Sequence, residues 1–191
     1  MKRVLKSSLL LTGTLVAALI AGTGAQAAPR TVTDPQAPRA LQAEGAVDVR
    51  WNDPSGFTEI RRSSNRFEAE RGNWVQDIAE YLRKAASREL APGQALAITI
   101  MDIERAGSYE PWQGANARDI RFMRDIYPPR LTLQYRLTDA QGGVLAEGET
   151  KLQDTGYLHS SGLASSTDPL RYEKKLIDDW ARRDLRKAAG R

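Results

Sequence analysis

Residues 95–103 have the sequence ALAITIMDI, and this stretch is the best starting point for predicting the fold. Successive side chains of a strand point to opposite faces of a sheet, and here both faces are largely apolar. Leu96, Ile98 and Ile100 share one face, whereas Ala97 lies on the other. A strand that is apolar on both faces is typical of the middle of a sheet. We therefore expect residues 95–103 to form a central strand.

Three further strands and two helices flank this central strand. Alternating apolar residues predict the strands, and apolar residues at helical spacing predict the helices. The predicted strands are 46–51, 131–138 and 144–153, and the predicted helices run from residue 73 to about 90 and from 168 to about 187. A helical crossover makes the first two strands parallel, and a glycine-containing turn makes the last two an antiparallel hairpin. The order β-α-β-β-β-α predicts an α+β fold, a two-layer α/β sandwich with a mixed four-stranded sheet and helices on one face.

The start of the chain has the pattern of a secretory signal peptide. Basic residues precede an apolar stretch, and small residues at 25–27 form a cleavage site. We expect residues 1–27 to be removed near Ala27/Ala28 and the protein to reach the periplasm. Residues 28–45 contain prolines and no apolar periodicity, which predicts a flexible N-terminal tether. Residues 46–191 are then expected to form a single domain.

The composition excludes several classes of function. The chain has no cysteine and one histidine, which excludes a disulfide scaffold, a thiolate zinc site, a cysteine nucleophile and a lipid anchor on cysteine. The formal net charge of +4 falls to +1 without the three basic residues of the signal peptide, so we predict no nucleic-acid partner. The sequence predicts no cofactor, and no transmembrane segment once the signal peptide is removed.

The connection between the second and third strands is the main candidate for a functional surface. Residues 107–127 are far longer than the usual ~4–6 residues between elements, and they are rich in aromatic residues and arginine. Such residues often anchor protein interfaces. The predicted binding residues are Tyr109, Trp112, Asp119, Arg121, Asp125, Tyr127 and Arg130. The alternative is that this connection packs over the sheet edge, with its aspartates paired to arginines.

Two carboxylates at the end of the central strand suggest a different function. Asp102 and Glu104 are two residues apart and therefore share a face, so they are weak candidates for binding a divalent cation. Together with Asp119 and Asp125, they suggest a carboxylate-based hydrolase, with or without a metal ion. Neutralisation of Asp102 and Glu104 by neighbouring arginines is the simpler explanation.

The absence of a recognisable nucleophile, metal or cofactor motif favours a function in binding. We expect a non-enzymatic periplasmic accessory or binding protein whose partner is an envelope protein or peptide, and whose contact surface is residues 107–127. The hydrolase is the alternative. A third class, capture of a peptide strand at a sheet edge, requires an edge that is accessible.

Three short motifs resemble those of a known family. They are W-x-D-P at 51–54, D-I-x-x-A-G at 102–107 and D-I-Y-P-P at 125–129. Their order and spacing resemble a family of small exported proteins of Gram-negative bacteria whose domain has no known function. The resemblance covers about Val47 to Leu185 and implies export and a compact α/β domain. It implies no activity, substrate or catalytic residue.

Overall fold

A computed structural model describes residues 31–160 and 165–191. The predicted signal peptide and its cleavage site lie outside the described residues. The strands are β1 (Val47–Trp51), β2 (Ala95–Glu104), β3 (Ser108–Tyr109), β4 (Arg121–Phe122), β5 (Arg130–Thr138) and β6 (Val144–Gln153). The helices are α1 (Thr58–Arg62), α2 (Arg66–Glu70), α3 (Trp74–Ser87) and α4 (Arg171–Trp180), and α4 continues through a π-helical turn (Ala181–Leu185) into a final α-helical turn (Arg186–Ala188). Within the described ranges, no helix is both long and apolar enough to cross a bilayer.

Four of the strands form the main sheet, in the order β1-β2-β5-β6. β1 is parallel to β2, whereas β2 with β5 and β5 with β6 are antiparallel. The prediction of an α+β fold with a mixed four-stranded sheet is therefore confirmed. β3 and β4 form a separate two-stranded sheet inside the long connection between β2 and β5.

The core lies between one face of this sheet and the helices α3 and α4. Ile98, Ile100 and Leu133 of the sheet are buried in one cluster with Ile78 and Leu82 of α3. This burial follows from the alternation in the strands and the helical spacing in α3. The opposite face of the sheet is polar and exposed, and it carries Asp48, Arg50, Gln134, Arg136, Glu147, Glu149 and Lys151.

Residues 31–41 differ from the predicted flexible tether, because they pack on the domain. Val32 is buried, and its N–H donates to the carbonyl of Glu70 at 2.8 Å. The N–H of Leu41 donates to Val49, and the N–H of Trp51 donates to Arg39, both at 2.9 Å. This short pairing satisfies backbone groups on the outer edge of β1, a requirement that no local sequence pattern reveals.

The segment 57–72, which the sequence leaves unassigned, contains the two short helices α1 and α2. Phe57 and Ile60 anchor α1 in the core. The backbone N–H and the hydroxyl of Thr58 each donate to the Asp102 carboxylate at 2.6 Å. Asp102 thereby attaches the start of α1 to the end of β2, where the long connection begins.

Candidate functional site

The long connection after β2 is folded and tied at its two ends. We call residues Gly107–Tyr127 the long loop. The N–H of Gly107 donates to the carbonyl of Tyr127 at 2.9 Å, which closes the loop. Pairing of β3 with β4 joins its two arms just inside this closure. The long loop is therefore a compact excursion with a defined base.

A buried ion-pair cluster lies at the base of the long loop. Glu59 of α1 is 5% exposed and accepts two hydrogen bonds from the Arg121 guanidinium, at 2.7 and 2.9 Å. Arg105, at the end of β2, donates to the same carboxylate at 2.9 Å and stacks on the Trp74 ring. Burial alone would raise the pKa of Glu59, but the guanidinium groups of Arg121 and Arg105 outweigh it and hold the pKa below its ordinary value.

Arg121 also binds the backbone of the chain that enters the loop. Its guanidinium donates to the carbonyls of Ala106 at 2.7 Å and of Arg105 and Gly107 at 3.0 Å. It lies 5.2 Å from the centre of the Tyr109 ring, which is itself buried. Arg121 and Tyr109, which the sequence predicts as binding residues, are thus internal contacts that hold the loop.

A second ion pair organises the middle of the loop. Glu110 is buried and accepts hydrogen bonds from Arg124 at 2.8 and 2.6 Å and from the Tyr127 hydroxyl at 3.0 Å. The hydrogen bonds from Arg124 are the main reason why the pKa of Glu110 lies below its ordinary value. The hydroxyl of Tyr127, another predicted binding residue, is therefore engaged within the loop.

A buried carboxyl of α4 also contacts the base of the loop. Glu173 is 1% exposed, and its Oε1 accepts the N–H of Ala106 at 2.7 Å. Its Oε2 has no hydrogen-bond partner in the part of the chain that the structure describes. Burial raises the pKa of Glu173 above its ordinary value. The folded state therefore binds a proton at this side chain more tightly than the unfolded chain does.

The two aspartates of the loop that the sequence predicts as binding residues lie at the surface. The Asn65 side-chain amide donates to Asp119 at 3.0 Å, and Asp125 lies 3.9 Å from the imidazole of His159. The alternative prediction pairs both aspartates with arginines. Within the described residues, neither aspartate forms such a pair. Asp119 and Asp125 have separate partners on different segments.

Three large apolar side chains of the loop are exposed. Trp112 is 65% exposed, Ile120 53% and Ile126 71%. The other large apolar residues of the loop are partly or fully buried, namely Tyr109, Phe122, Met123 and Tyr127. A firmly held loop therefore presents apolar surface to solvent.

The carboxylates predicted as weak metal candidates have partners inside the protein. Asp102 holds Thr58, and Glu104 forms an ion pair with Arg130. Arg130, also a predicted binding residue, thus neutralises Glu104, as the simpler explanation holds. Asp102 differs from that explanation, because its partner is Thr58 and not an arginine. Over residues 31–160 and 165–191, no three histidine, aspartate or glutamate side chains come together as a metal site would require.

Sequence reasoning missed four charged residues of this region, which are Glu59, Arg105, Glu110 and Glu173. Glu59 lies in the unassigned segment, and its partners are distant in sequence, so no local signal exists. For Glu173, in contrast, the sequence contains a pattern that indicates burial. This residue precedes Leu176 and Ile177 by three and four residues, which places it on the buried face of α4.

Comparisons with known proteins agree with the resemblance seen in the motifs. One solved structure, a candidate lipoprotein from Caulobacter crescentus, is 14% identical, with 59% of this chain and 81% of that chain covered and a TM-score of 0.34. This similarity is too low to support an argument. No curated protein matches the chain. Residues 45–183 match the family described as "Protein of unknown function (DUF3016)". Since this match spans well over half of the sequence, the protein belongs to the DUF3016 family.

Proposed function

We propose that this protein is a non-enzymatic periplasmic binding protein whose contact surface is the exposed side of the long loop. The observation that carries the proposal is the contrast within that loop. Its base is fixed by a buried ion-pair cluster, whereas Trp112, Ile120 and Ile126 remain exposed. Exposed apolar side chains on a rigid support are typical of protein interfaces.

The rigidity of the loop supports binding over simple packing. Here Glu59 and Glu110 each hold an arginine of the loop in a two-point interaction. Such preorganisation reduces the entropy that a binding surface loses when it meets its partner.

The experiment that tests this proposal is photo-crosslinking in cells from position 112. Trp112 is replaced by a photoreactive amino acid, and the adducts are compared with those from Leu145, an exposed apolar residue of β6 outside the loop. We expect one dominant protein adduct from position 112 that is absent from position 145. The adduct should disappear in Ile126→Asp, which places a charge on the same loop.

Arg121 is unsuitable for this test because its substitution would open the ion-pair cluster and disturb the fold. Ile126 avoids this difficulty, since its side chain is mostly in solvent. If the two positions gave the same adducts, or if Ile126→Asp left the adduct unchanged, the long loop would not be the contact surface.

A further inference from the structure

A groove beside the base of the long loop has the properties of an anion-binding site. It has a volume of about 340 Å³ and lies between α1, the end of β2 and the loop. This volume is near the lower end for small-ligand sites, which hold about 300–1,000 Å³. Its lining includes the charged residues Arg62, Arg105, Arg121, Arg130, Glu59 and Glu104.

The groove carries an excess of positive charge. Glu104 neutralises Arg130, but the single charge of Glu59 is shared between Arg105 and Arg121. Arg62 is exposed and has no ion-pair partner within the described ranges. Among the residues that line the groove, four arginines thus face two glutamates, an excess of two positive charges.

The arginines differ in their freedom to bind a ligand. The hydrogen-bonding capacity of Arg121 is used by Glu59 and three backbone carbonyls. Arg62 is free, and 40% of the Arg130 side chain is exposed beside Glu104. A guanidinium presents paired N–H groups that match the two oxygens of a carboxylate.

An apolar wall adjoins these cations. Ile126 lines the groove with its side chain 71% exposed, and Tyr127 lies next to it. We propose that the groove binds a carboxylate that carries an apolar group, such as the C-terminus of a peptide ending in an apolar residue. Arg62 is the principal anion contact and Ile126 the apolar one.

A carboxylate that carries an apolar group fits the groove better than inorganic phosphate does. Ile126 beside the arginines can pack against an apolar substituent, which inorganic phosphate lacks. The inference rests on the proposed function, because the groove opens at the base of the same loop. It adds the chemistry of the ligand to the location of the contact surface.

The test is a titration of the purified protein with N-acetyl-Gly-Gly-Leu as the free acid, followed by NMR or calorimetry. The same peptide as a C-terminal amide and acetate alone are the comparison ligands. We expect saturable binding of the free acid. The amide should bind at least about tenfold more weakly, because it lacks the charge that pairs with arginine. Acetate should also bind about tenfold more weakly, because it lacks the leucine side chain.

Two arginine variants provide a matched pair. Arg62→Gln removes the free cation of the groove, whereas Arg61→Gln removes another exposed arginine of α1, one that does not line the groove. We expect Arg62→Gln to weaken binding of the free acid about tenfold and Arg61→Gln to leave it unchanged. Unchanged unfolding temperatures will show that both variants fold.

Several results would overturn the inference. Equal binding of acid and amide, equal effects of the two variants, or no binding of the free acid would exclude the carboxylate site. Acetate binding as tightly as the peptide would exclude the peptide C-terminus in favour of a small free acid. None of these results affects crosslinking from position 112, so failure of the groove and failure of the contact surface are distinguishable.

Discussion

A carboxylate buried between two guanidinium groups loses its hydration, and only its partners offset that loss. Glu59 is in this position, with Arg121 and Arg105 as its partners. We expect Glu59→Gln to lower the free energy of unfolding by about 3 kcal/mol at pH 7, because two buried cations then face a neutral amide. Urea denaturation measures this loss. Glu44→Gln, in an exposed pair with Arg83, is the control and should cost less than about 1 kcal/mol.

The stabilisation by Glu59 has a defined pH dependence. Because the pKa of Glu59 is lowered from its ordinary value near 4.5, its contribution to stability is present above that value and is lost as the pH falls through the folded-state pKa. The difference between wild type and Glu59→Gln should therefore shrink in acid. A difference that stayed constant down to pH 2 would mean that the ionised form of Glu59 does not stabilise the fold.

The contribution of Glu173 to stability should depend on pH with the opposite sign. Burial raises the pKa of Glu173, so the folded state binds the proton more tightly and stability is lost as the pH rises from the ordinary value near 4.5 through the folded-state pKa. Glu173→Gln keeps an oxygen for the N–H of Ala106 and cannot ionise. We expect this variant to melt at a higher temperature than wild type at pH 8, with the gap closing towards pH 4. Glu80→Gln on the exposed side of α3 should show no such trend, and a Glu173→Gln variant that melted below wild type at both pH values would contradict the assignment.

Among the elements, those with strong apolar periodicity could be predicted from the sequence. The four strands of the main sheet and the helices α3 and α4 are of this kind, because each buries one regular face. The helices α1 and α2 were not predictable, since each has five residues and is positioned by distant contacts such as that of Thr58 with Asp102. The loop was predictable as a candidate surface, but which of its residues are exposed depends on Glu59 and Glu110.

Gly107 offers a test of how tightly the base of the loop is built. Its φ of +78° favours glycine, and a Cβ there would lie 2.7 Å from both the Met123 sulfur and the Phe122 carbonyl oxygen. We expect Gly107→Ala to lower the free energy of unfolding by about 2–3 kcal/mol. Gly142→Ala, at a φ of +82° with open space around it, isolates the cost of the backbone conformation, about 1 kcal/mol. Equal losses of unfolding free energy in the two variants would mean that the residues around Gly107 can shift to accommodate the added Cβ.

At the scale of the whole molecule, the carboxylates are spread over separate contacts. Asp102, Glu104, Asp119 and Asp125 each contact a different residue. A ligand that binds only the folded state raises the melting temperature. We expect millimolar Ca²⁺, Mg²⁺ or Mn²⁺ to cause no saturable rise in the melting temperature by differential scanning fluorimetry, with the Asp102→Asn variant as a reference. A saturable rise that Asp102→Asn abolished would restore the metal-assisted hydrolase as a candidate.

The two edges of the main sheet differ in protection. Residues 39–41 pair with the outer edge of β1, whereas the outer edge of β6 pairs with no strand in the described ranges. β6 is nevertheless rich in charged side chains, which discourage association between edges. β1 contains buried Val47 and Val49 and depends more on its cover. As far as residues 31–160 and 165–191 are concerned, the uncovered edge for strand addition is that of β6.

Removal of residues 31–41 should consequently change the association state of the protein. Without them, the outer backbone groups of β1 become unpaired and the site of Val32 in the core is empty. We expect the shortened protein to unfold at a lower temperature and to self-associate at high concentration, as measured by light scattering. Val32→Ala in the full chain reduces packing but keeps the edge covered, so it should lower stability by about 1–2 kcal/mol and remain monomeric if the wild type is monomeric. Self-association in both variants would attribute the effect to lost stability, whereas association only in the shortened protein would assign residues 31–41 the role of guarding the β1 edge.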